Sequence, residues 1–430
     1  MLASTAHFTL SDWLAHIERQ HAQPIALGLE RVLAVKRALG VALDAPVIIV
    51  GGTNGKGSTC AMLERILRSA GYRVGLYTSP HLLEYNERVR VNGQPVSDAA
   101  LCASFAQVEA ARGGMPLTYF EYGTLAAWQV FAAAGVEAVV LEVGLGGRLD
   151  AVNVFDADCA VVTTVDFDHM DYLGDTREAI GFEKAGIFRA GRPAIVGDPQ
   201  PPRSLLDHAA AIGADLRRLG QEFGYQAGEG QWMYWSDRGR RGGLAYPALR
   251  GAVQLRNASM AIAALEALTE RLPVSMQDVR RGLAEVTLPG RFQVLPGRPA
   301  VVLDVGHNPQ AAGALAESLG GMAFHPQTWA VFGMLSDKDV AGVVERIAPR
   351  IDRWLAASLP GPRGMSGAAL ARLLAARGIQ AEACFDSPAA AYRAAKEQAG
   401  ENDRIVAFGS FLTVSDVLRA IDDERKRHPA

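Results

Sequence analysis

The chain has 430 residues, of which 49% are hydrophobic and 21% charged, and its formal net charge is -3. That length suits two or three cores, and that composition excludes a disordered chain. The near balance of charge excludes a broad nucleic-acid footprint.

The four cysteines, Cys60, Cys102, Cys159 and Cys384, lie far apart and form no Cys-x-x-Cys pair. This reads as a reduced protein with neither a disulfide frame nor a zinc site. No basic start precedes an apolar run, and no apolar stretch reaches the roughly 18 residues that span a bilayer. The expected location is the cytoplasm, with no membrane and no nucleic-acid partner.

Short apolar runs alternate with helical periodicity through the first half. Pro46–Gly51 reads as a buried strand and Gly57–Ala70 as a helix closed by Gly71. Arg73–Ser79 is a second strand, and Asp98–Arg112 and Thr118–Ala134 are helices. Glu137–Val143 and Asp158–Val165 are the third and fourth strands. Thr176–Arg189 reads as a helix with Thr176 at its N-cap and Glu178 in its first turn. Pro193–Gly197 is a short strand. Strands alternating with helices predict an α/β fold with a mostly parallel, doubly wound sheet.

The stretch 215–250 holds Trp232, Tyr234, Trp235 and several glycines and reads as antiparallel hairpins. Asn257–Arg271 and Ser275–Glu285 return to helix. Pro289-Gly290-Arg291-Phe292-Gln293, with Pro296, Gly297 and Pro299 behind it, marks a domain boundary. Strands then resume at Ala300–Val305, Thr328–Met334, Arg353–Ala357 and Arg404–Gly409, with helices between. The expected organisation is a first domain over 1–290, a hinge linker over 289–299 and a smaller Rossmann-like α/β domain over 298–430.

Residues 51–59 read Gly-Gly-Thr-Asn-Gly-Lys-Gly-Ser-Thr, between a predicted strand and a predicted helix. Glycines let backbone amides turn inward around phosphate oxygens, and the helix aims its positive N-terminus at them. Lys56 adds a mobile positive charge for the β/γ-phosphates, and Ser58 or Thr59 can offer a hydroxyl to Mg²⁺ or phosphate. The pattern G-x-x-x-x-G-K-[ST] is not met literally, because Val50 stands at the first glycine and Gly57 intervenes before Ser58. The bland alternative is an ordinary glycine-rich turn.

In an open α/β sheet, ligands bind beyond the carboxyl ends of the strands. The second strand delivers Thr78-Ser79-Pro80-His81 there, the third Glu142, and the fourth Asp166, Asp168, His169 and Asp171. Glu142 is the strongest metal-ligand candidate, since an apolar strand has little other reason to end in a carboxylate; a salt bridge is the alternative. His169 alone reads more often as a structural hydrogen-bond partner than as a ligand, and its place at a strand end beside Glu142 strengthens the ligand reading. Lys184, read bare, is a helix-surface lysine. No Gly-x-Ser-x-Gly occurs, and the Gly-Leu-Gly-Gly at 144–147 lacks dinucleotide-fingerprint spacing.

Taken in order, Gly-Thr-Asn-Gly-Lys-Gly-Ser, Ser-Pro-His-Leu, Glu-Arg-Val-Arg-Val, Leu-Glu-Val-Gly-Leu-Gly-Gly-Arg-Leu-Asp-Ala, Asp-His-Met-Asp-Tyr-Leu-Gly, Glu-Lys-Ala-Gly-Ile and Pro-Gly-Arg-Phe resemble the folylpolyglutamate synthase family. The likeness is to its bifunctional bacterial branch, dihydrofolate synthase/folylpolyglutamate synthase, within the Mur ligase-like superfamily. It runs from Gly28-Leu29-Glu30-Arg31 to Gly409-Ser410-Phe411.

The resemblance implies an ATP-dependent ligase with a phosphate-loop ATPase domain. Thr53, Asn54, Gly55, Lys56, Gly57 and Ser58 would hold the ATP phosphates, joined by Asn257, Arg291 and Asp304. Ser79 and Glu142 would bind one Mg²⁺, and Glu142, His169 and a carbamylated Lys184 a second. Lys56, His169, Lys184 and His307 would be the catalytic residues. Phe120, Glu121, Tyr122 and Gly123, with Leu149, Asp150 and Ala151, match the stretches that bind dihydropteroate, and Pro80–Val91 matches the loop that covers the pterin. Gly306 departs from the family, which often has alanine before the histidine. The implied partners are dihydropteroate, folates, L-glutamate and ATP, acting on a monomer.

The implied chemistry is amide formation through an acyl-phosphate. The nearest rival is a Mur-type ligase extending a UDP-muramoyl cell-wall precursor. Glu-Lys-Ala-Gly-Ile, Phe-Glu-Tyr-Gly and a phosphate loop as early as residue 51 favour folate. A nucleotide-switched binding protein would keep the phosphate loop but has no need of Glu142, His169 and Lys184 together.

Overall fold

The computed structural model describes residues 7–23 and 25–427. The chain forms two compact units, one of Met1–Ala248 with Leu255–Val286, the other of Leu249–Gln254 with Thr287–Ala430. Among the described residues no helix is long and apolar enough to cross a membrane.

The first unit is built on eight strands. These are β1 (Val47–Gly51), β2 (Val74–Tyr77), β3 (Val89–Val91), β4 (Gln94–Pro95), β5 (Ala138–Glu142), β6 (Cys159–Val162), β7 (Pro193–Val196) and β8 (Asp215–Arg218). Their order is β4-β3-β2-β5-β1-β6-β7-β8. The six strands from β2 to β8 in that order pair in parallel, while the β3–β4 hairpin turns the edge antiparallel. The Val/Ile/Leu runs are explained by burial on both faces: every residue of β1, β5 and β6 is buried. The core includes Trp13, Phe105, Tyr122, Phe131 and Phe155.

The stretch 215–250 is only partly what the sequence predicts. Asp215–Arg218 is β8, parallel to β7 at the sheet edge. The antiparallel part is β9 (Phe223–Ala227), β10 (Gln231–Ser236) and β11 (Gly239–Ala245). The fourth strand stops at Val162: Thr163 N–H still reaches Gly51 O at the end of β1, but the threonine hydroxyls turn to the phosphate loop. The helix capped by Thr176 ends at Ala185, where Gly186 follows.

In the second unit the strands are β12 (Gln293–Leu295), β13 (Ala300–Asp304), β14 (Thr328–Phe332), β15 (Arg353–Ala357), β16 (Ala381–Phe385) and β17 (Arg404–Phe408). Their order is β12-β13-β17-β14-β15-β16, parallel except for β12. Phe332, Trp354 and Phe408 pack edge-on or tilted at its centre. The stretch 289–299 is therefore not a bare linker. Gln293–Leu295 pair with Val301–Leu303, because Val294 and Leu295 supply an apolar edge strand among the prolines.

Candidate active site

Sheet order sets the site before any side chain is considered. β2, β5, β1 and β6 are consecutive neighbours. Glu142 stands opposite Val50, and Val162 opposite Gly51. Parallel strands lie roughly 4.8 Å apart, so the four carboxyl ends form one short row.

β1 leads into the phosphate loop, and Gly55 is the N-cap of the helix Lys56–Ser69. Gly55 makes no side-chain cap, which leaves the first-turn amides for an anion. Gly52 and Gly55 have φ of +133° and +93°, which side chains rarely adopt. A Cβ on Gly55 would fall 2.7 Å from Asn257 Oδ1, so Asn257 packs directly on the loop. Gly57 lies inside the first helical turn.

The loop is clasped from the end of β6. Thr53 N–H donates to Thr164 O at 2.8 Å, Asn54 N–H to Thr164 Oγ1 at 3.0 Å, Thr163 Oγ1 to Asn54 O at 2.7 Å, and Asp166 N–H to Thr53 Oγ1 at 3.0 Å. Lys56 Nζ folds back to donate to the carbonyls of Gly52 (3.1 Å) and Thr53 (3.3 Å). Ser58 and Thr59 are buried, and Thr59 Oγ1 has no hydrogen-bond partner among the described residues.

At the end of β5, Glu142 is 4% exposed, and Oε2 accepts from the backbone N–H of Ser79 at 3.1 Å. His169 takes a left-handed conformation, φ +52°, at the start of the short helix Met170–Leu173, with its N–H donating to Asp168 Oδ1 at 2.9 Å.

Lys184 corrects its bare reading. It is 3% exposed, not a surface lysine, because the helix Arg177–Ala185 buries Ile180, Gly181, Lys184 and Ala185 on one face. Nζ makes no hydrogen bond or ion pair among the described residues. Burial first, and then the charge of Lys56, push its amine down to about 7, against the pull of Asp168 and Asp150.

The loop 144–150 lies against this helix at van der Waals distance. A Cβ on Gly147 would stand 2.9 Å from Glu183 O and 3.0 Å from Lys184 O. Arg148 N–H donates to Glu183 O at 2.7 Å, and its guanidinium pairs with the Glu183 carboxylate at 2.8 Å. Asp150 closes the loop, accepting from Leu145 N–H (2.8 Å) and Val152 N–H (3.1 Å). Burial pushes its carboxyl up to about 7, against those amides and Lys56. Leu149 is half-buried, its carbonyl accepting from Gly28 N–H, and Ala151 is buried.

Phe120 to Gly123 open the helix Tyr119–Ala134, and they part company. Phe120 packs on Tyr77, ring centroids 5.6 Å apart, and on Gly144, where a Cβ would meet its ring at 2.7 Å. Glu121 turns inward to complete a capping box with Thr118 and to pair with Arg31 at 2.9 Å. Tyr122 is fully buried and donates to Glu109 Oε2 at 2.8 Å. Glu121 and Tyr122 thus both bond within the helix layer. Gly123 is buried beside two tyrosine hydroxyls.

In the second unit, Asp304 ends β13 and binds the Pro-Gly-Arg-Phe turn: Oδ2 accepts from Phe292 N–H (2.9 Å) and Oδ1 from Gly306 N–H (2.7 Å). Burial pushes its carboxyl up, against those amides and the charges of Arg291 and His307. Gly306 fits this turn, since a Cβ there would fall 2.7 Å from Asp304 Oδ1. His307 Nδ1 is 2.9 Å from Val305 O, and Phe411 is shared by Arg291 and His307.

Residues 50–220 match the Mur ligase middle domain and residues 290–411 the Mur ligase glutamate ligase domain. The dihydrofolate synthase/folylpolyglutamate synthase of Escherichia coli K12 is 47% identical over 417 residues, covering 97% of this chain and 96% of that protein. This chain belongs to the dihydrofolate synthase/folylpolyglutamate synthase family. The structure of E. coli FolC in complex with DHPP and ADP superposes with a TM-score of 0.94 at 46% identity, covering 98% of this chain and all of that one. A bifunctional folylpolyglutamate synthase/dihydrofolate synthase with Mn, AMPPNP and L-glutamate bound gives 0.90 at 45% identity, covering 97% and 99%.

In this member of the family, β2, β5, β1 and β6 bring Ser79, Glu142, the phosphate loop and the Thr163–Asp166 segment into one row. Among the described residues no three His, Cys, Asp or Glu side chains gather as a metal cluster. The donors at hand are instead a buried carboxylate at Glu142, hydroxyls at Ser79 and Thr59, and the amine of Lys184. Carboxylate and hydroxyl oxygens suit a hard divalent cation. Thr163 and Thr164, whose only signal is position after a strand end, are not singled out by the sequence, nor is Arg148, which lies within the Leu-Glu-Val-Gly-Leu-Gly-Gly-Arg-Leu-Asp-Ala motif.

Proposed function

We propose that the chain joins L-glutamate to the carboxylate of dihydropteroate and adds further glutamates to reduced folates, driven by ATP. The observation that carries this reading is the adjacency of β1, which ends in the phosphate loop, and β5, which ends in buried Glu142. Full-length likeness to enzymes bearing that name supports the substrates.

A carboxylate is a poor acyl donor because oxide would have to leave. One carboxylate oxygen attacks the γ-phosphorus, ADP departs, and an acyl-phosphate forms. The glutamate amine then attacks the acyl carbon, loses a proton, and expels phosphate. The Thr53–Ser58 amides and Lys56 hold the phosphates in line. Ser79 and Glu142 would hold one Mg²⁺, and Glu142, His169 and a carbamylated Lys184 a second; bound there, Mg²⁺ neutralises phosphate charge. Asn257, Arg291 and His307 are the proposed further nucleotide contacts, with Asp304 acting by shaping the Arg291 turn. Phe120 and Leu149 are the proposed pterin contacts. Four unpaired cysteines support a reducing, cytoplasmic setting.

The test combines purified protein, ATP, Mg²⁺ and L-glutamate with dihydropteroate, tetrahydrofolate or a UDP-muramoyl acid, and measures phosphate release. Release with dihydropteroate and tetrahydrofolate and none with the muramoyl acid is expected. Release with the muramoyl acid alone would move the assignment to cell-wall ligation.

A further inference from the structure

The loop Pro80–Val91 leaves β2 and returns as β3. It carries its own scaffold. Glu87 gathers the N–H groups of Leu82, Leu83 and Glu84, each at 2.8 Å, and Thr78 N–H closes the base on Arg88 O at 2.9 Å. Of residues 80–88, Tyr85 alone is buried. Its ring meets Phe105 and Tyr119 edge-on, at 5.9 and 5.7 Å, and the Arg88 guanidinium lies over both Tyr85 and Tyr119. Tyr85 is thus a plug that fastens an otherwise half-exposed loop to the helix layer.

The space that the plug enters is made by a missing side chain. Gly123 lies within the helix Tyr119–Ala134, where glycine is a weaker helix former than alanine. A Cβ there would fall 2.5 Å from Tyr85 Oη and 3.0 Å from Tyr77 Oη, whereas Tyr85 Cζ would be at an ordinary 3.8 Å. The conflict is with the two hydroxyls, Tyr85's the closer, and not with the Tyr85 ring.

We propose that Gly123 is a socket for Tyr85 and not a substrate contact, and that Tyr85 seated there is the positioning residue that holds the Pro80–Val91 loop over the pteroate. The role of the loop rests on the folate reading above; the socket does not.

Two measurements separate the two. In steady-state kinetics, Gly123→Ala raises KM for dihydropteroate about tenfold, while kcat and KM for ATP stay within about twofold. Gly123→Ala/Tyr85→Phe removes the closer of the two hydroxyls and brings that KM back to within about threefold of wild type. In limited proteolysis without substrate, trypsin cuts at Arg88 faster in Gly123→Ala and at close to the wild-type rate in the double variant. Tyr85→Leu empties the socket and carries the same KM and cleavage predictions should Gly123→Ala fail to fold. An unchanged pteroate KM in Gly123→Ala, a double variant no better than the single, or a parallel rise in KM for ATP overturns the proposal. A wild type inert toward dihydropteroate removes the folate reading, and the cleavage rates still decide the socket.

Discussion

The guanidinium of Arg291 lies over the face of Phe411, 4.9 Å from its centroid, and His307 flanks the same ring at 6.5 Å. Phe411 opens the helix Phe411–Arg427, so a rigid element presents the platform. A cation over an aromatic face is held by about 0.5–2 kcal/mol. Phe411→Leu keeps the apolar bulk and removes the ring face. It is expected to lower kcat/KM for ATP about tenfold, while Phe411→Tyr retains most of it. Steady-state kinetics with ATP varied checks this, and a wild-type Phe411→Leu would show that the platform does not position Arg291.

Lys184 carries the next prediction. Its amine is held down to about 7 by burial and then by Lys56, so at pH 8 most of it is neutral and able to add to CO₂. The product is a carbamate, whose oxygen suits a dication that would repel an ammonium. Removing bicarbonate from the buffers is expected to lower activity, and restoring it to return activity. Lys184→Ala is expected to lose about 100-fold or more, with partial rescue by formate or acetate. The sign in pH follows. Below about 7 the amine is protonated and could not form the proposed carbamate, so activity is expected to fall on the acid side. Stability of the unmodified chain rises between that value and the ordinary lysine value of 10.5, because only the unfolded state holds the proton there. Wild-type rates in Lys184→Ala would remove the carbamate.

What was legible in the sequence was what is local. A strand, a glycine turn and a helix in succession announce the phosphate loop, and an apolar strand ending in Glu142 announces a carboxylate at the sheet edge. Seven ordered motifs carried the family. Lys184 was not legible from its residue type, although its four-residue spacing from Ile180 does place it on the buried face. Glu121 and Tyr122 sit in a motif that reads as substrate-binding, yet their partners Arg31 and Glu109 lie 90 and 13 residues away. β12 was hidden among prolines that signal a linker. Pairing partners distant in sequence decide such cases, and periodicity does not report them.

Glu109 makes a prediction about acid stability. Its carboxylate pairs with Arg112 and accepts from Tyr122 (2.8 Å), with His16 at 3.1 Å, joining the helices Leu10–Glu18, Asp98–Arg112 and Tyr119–Ala134. Burial alone would raise its carboxyl, but the hydrogen bonds from Arg112, Tyr122 and His16 outweigh burial and bring it down to about 2. A depressed carboxyl stabilises the fold above its unfolded value of 4.5 and loses that contribution as pH falls toward 2. Glu109→Gln is expected to destabilise the protein by about 1–2 kcal/mol at pH 7, after allowance for partial solvent screening. The gap should narrow as pH falls below 4.5 and close near pH 2. Denaturant melts across that range check this, and a gap constant with pH would assign the effect to packing.

Gly147 tests whether loop and helix act together on Lys184. Its missing side chain lets two backbones meet, with Glu183 O at 2.9 Å and Lys184 O at 3.0 Å from where a Cβ would stand. Neither carbonyl can swing away as a side chain could, since Arg148 N–H holds Glu183 O at 2.7 Å. Gly147→Ala must therefore push the Arg177–Ala185 helix outward and carry Lys184 with it. Displacing a catalytic group by about 1 Å costs on the order of 100-fold in rate, and kcat should fall by about that factor. KM for ATP should change little, because the phosphate loop is clasped separately by Thr163 and Thr164. Formate should fail to rescue Gly147→Ala, since the misplaced lysine still fills the space, in contrast to Lys184→Ala. Equal rescue of both variants would show that loop 144–150 does not set the position of Lys184.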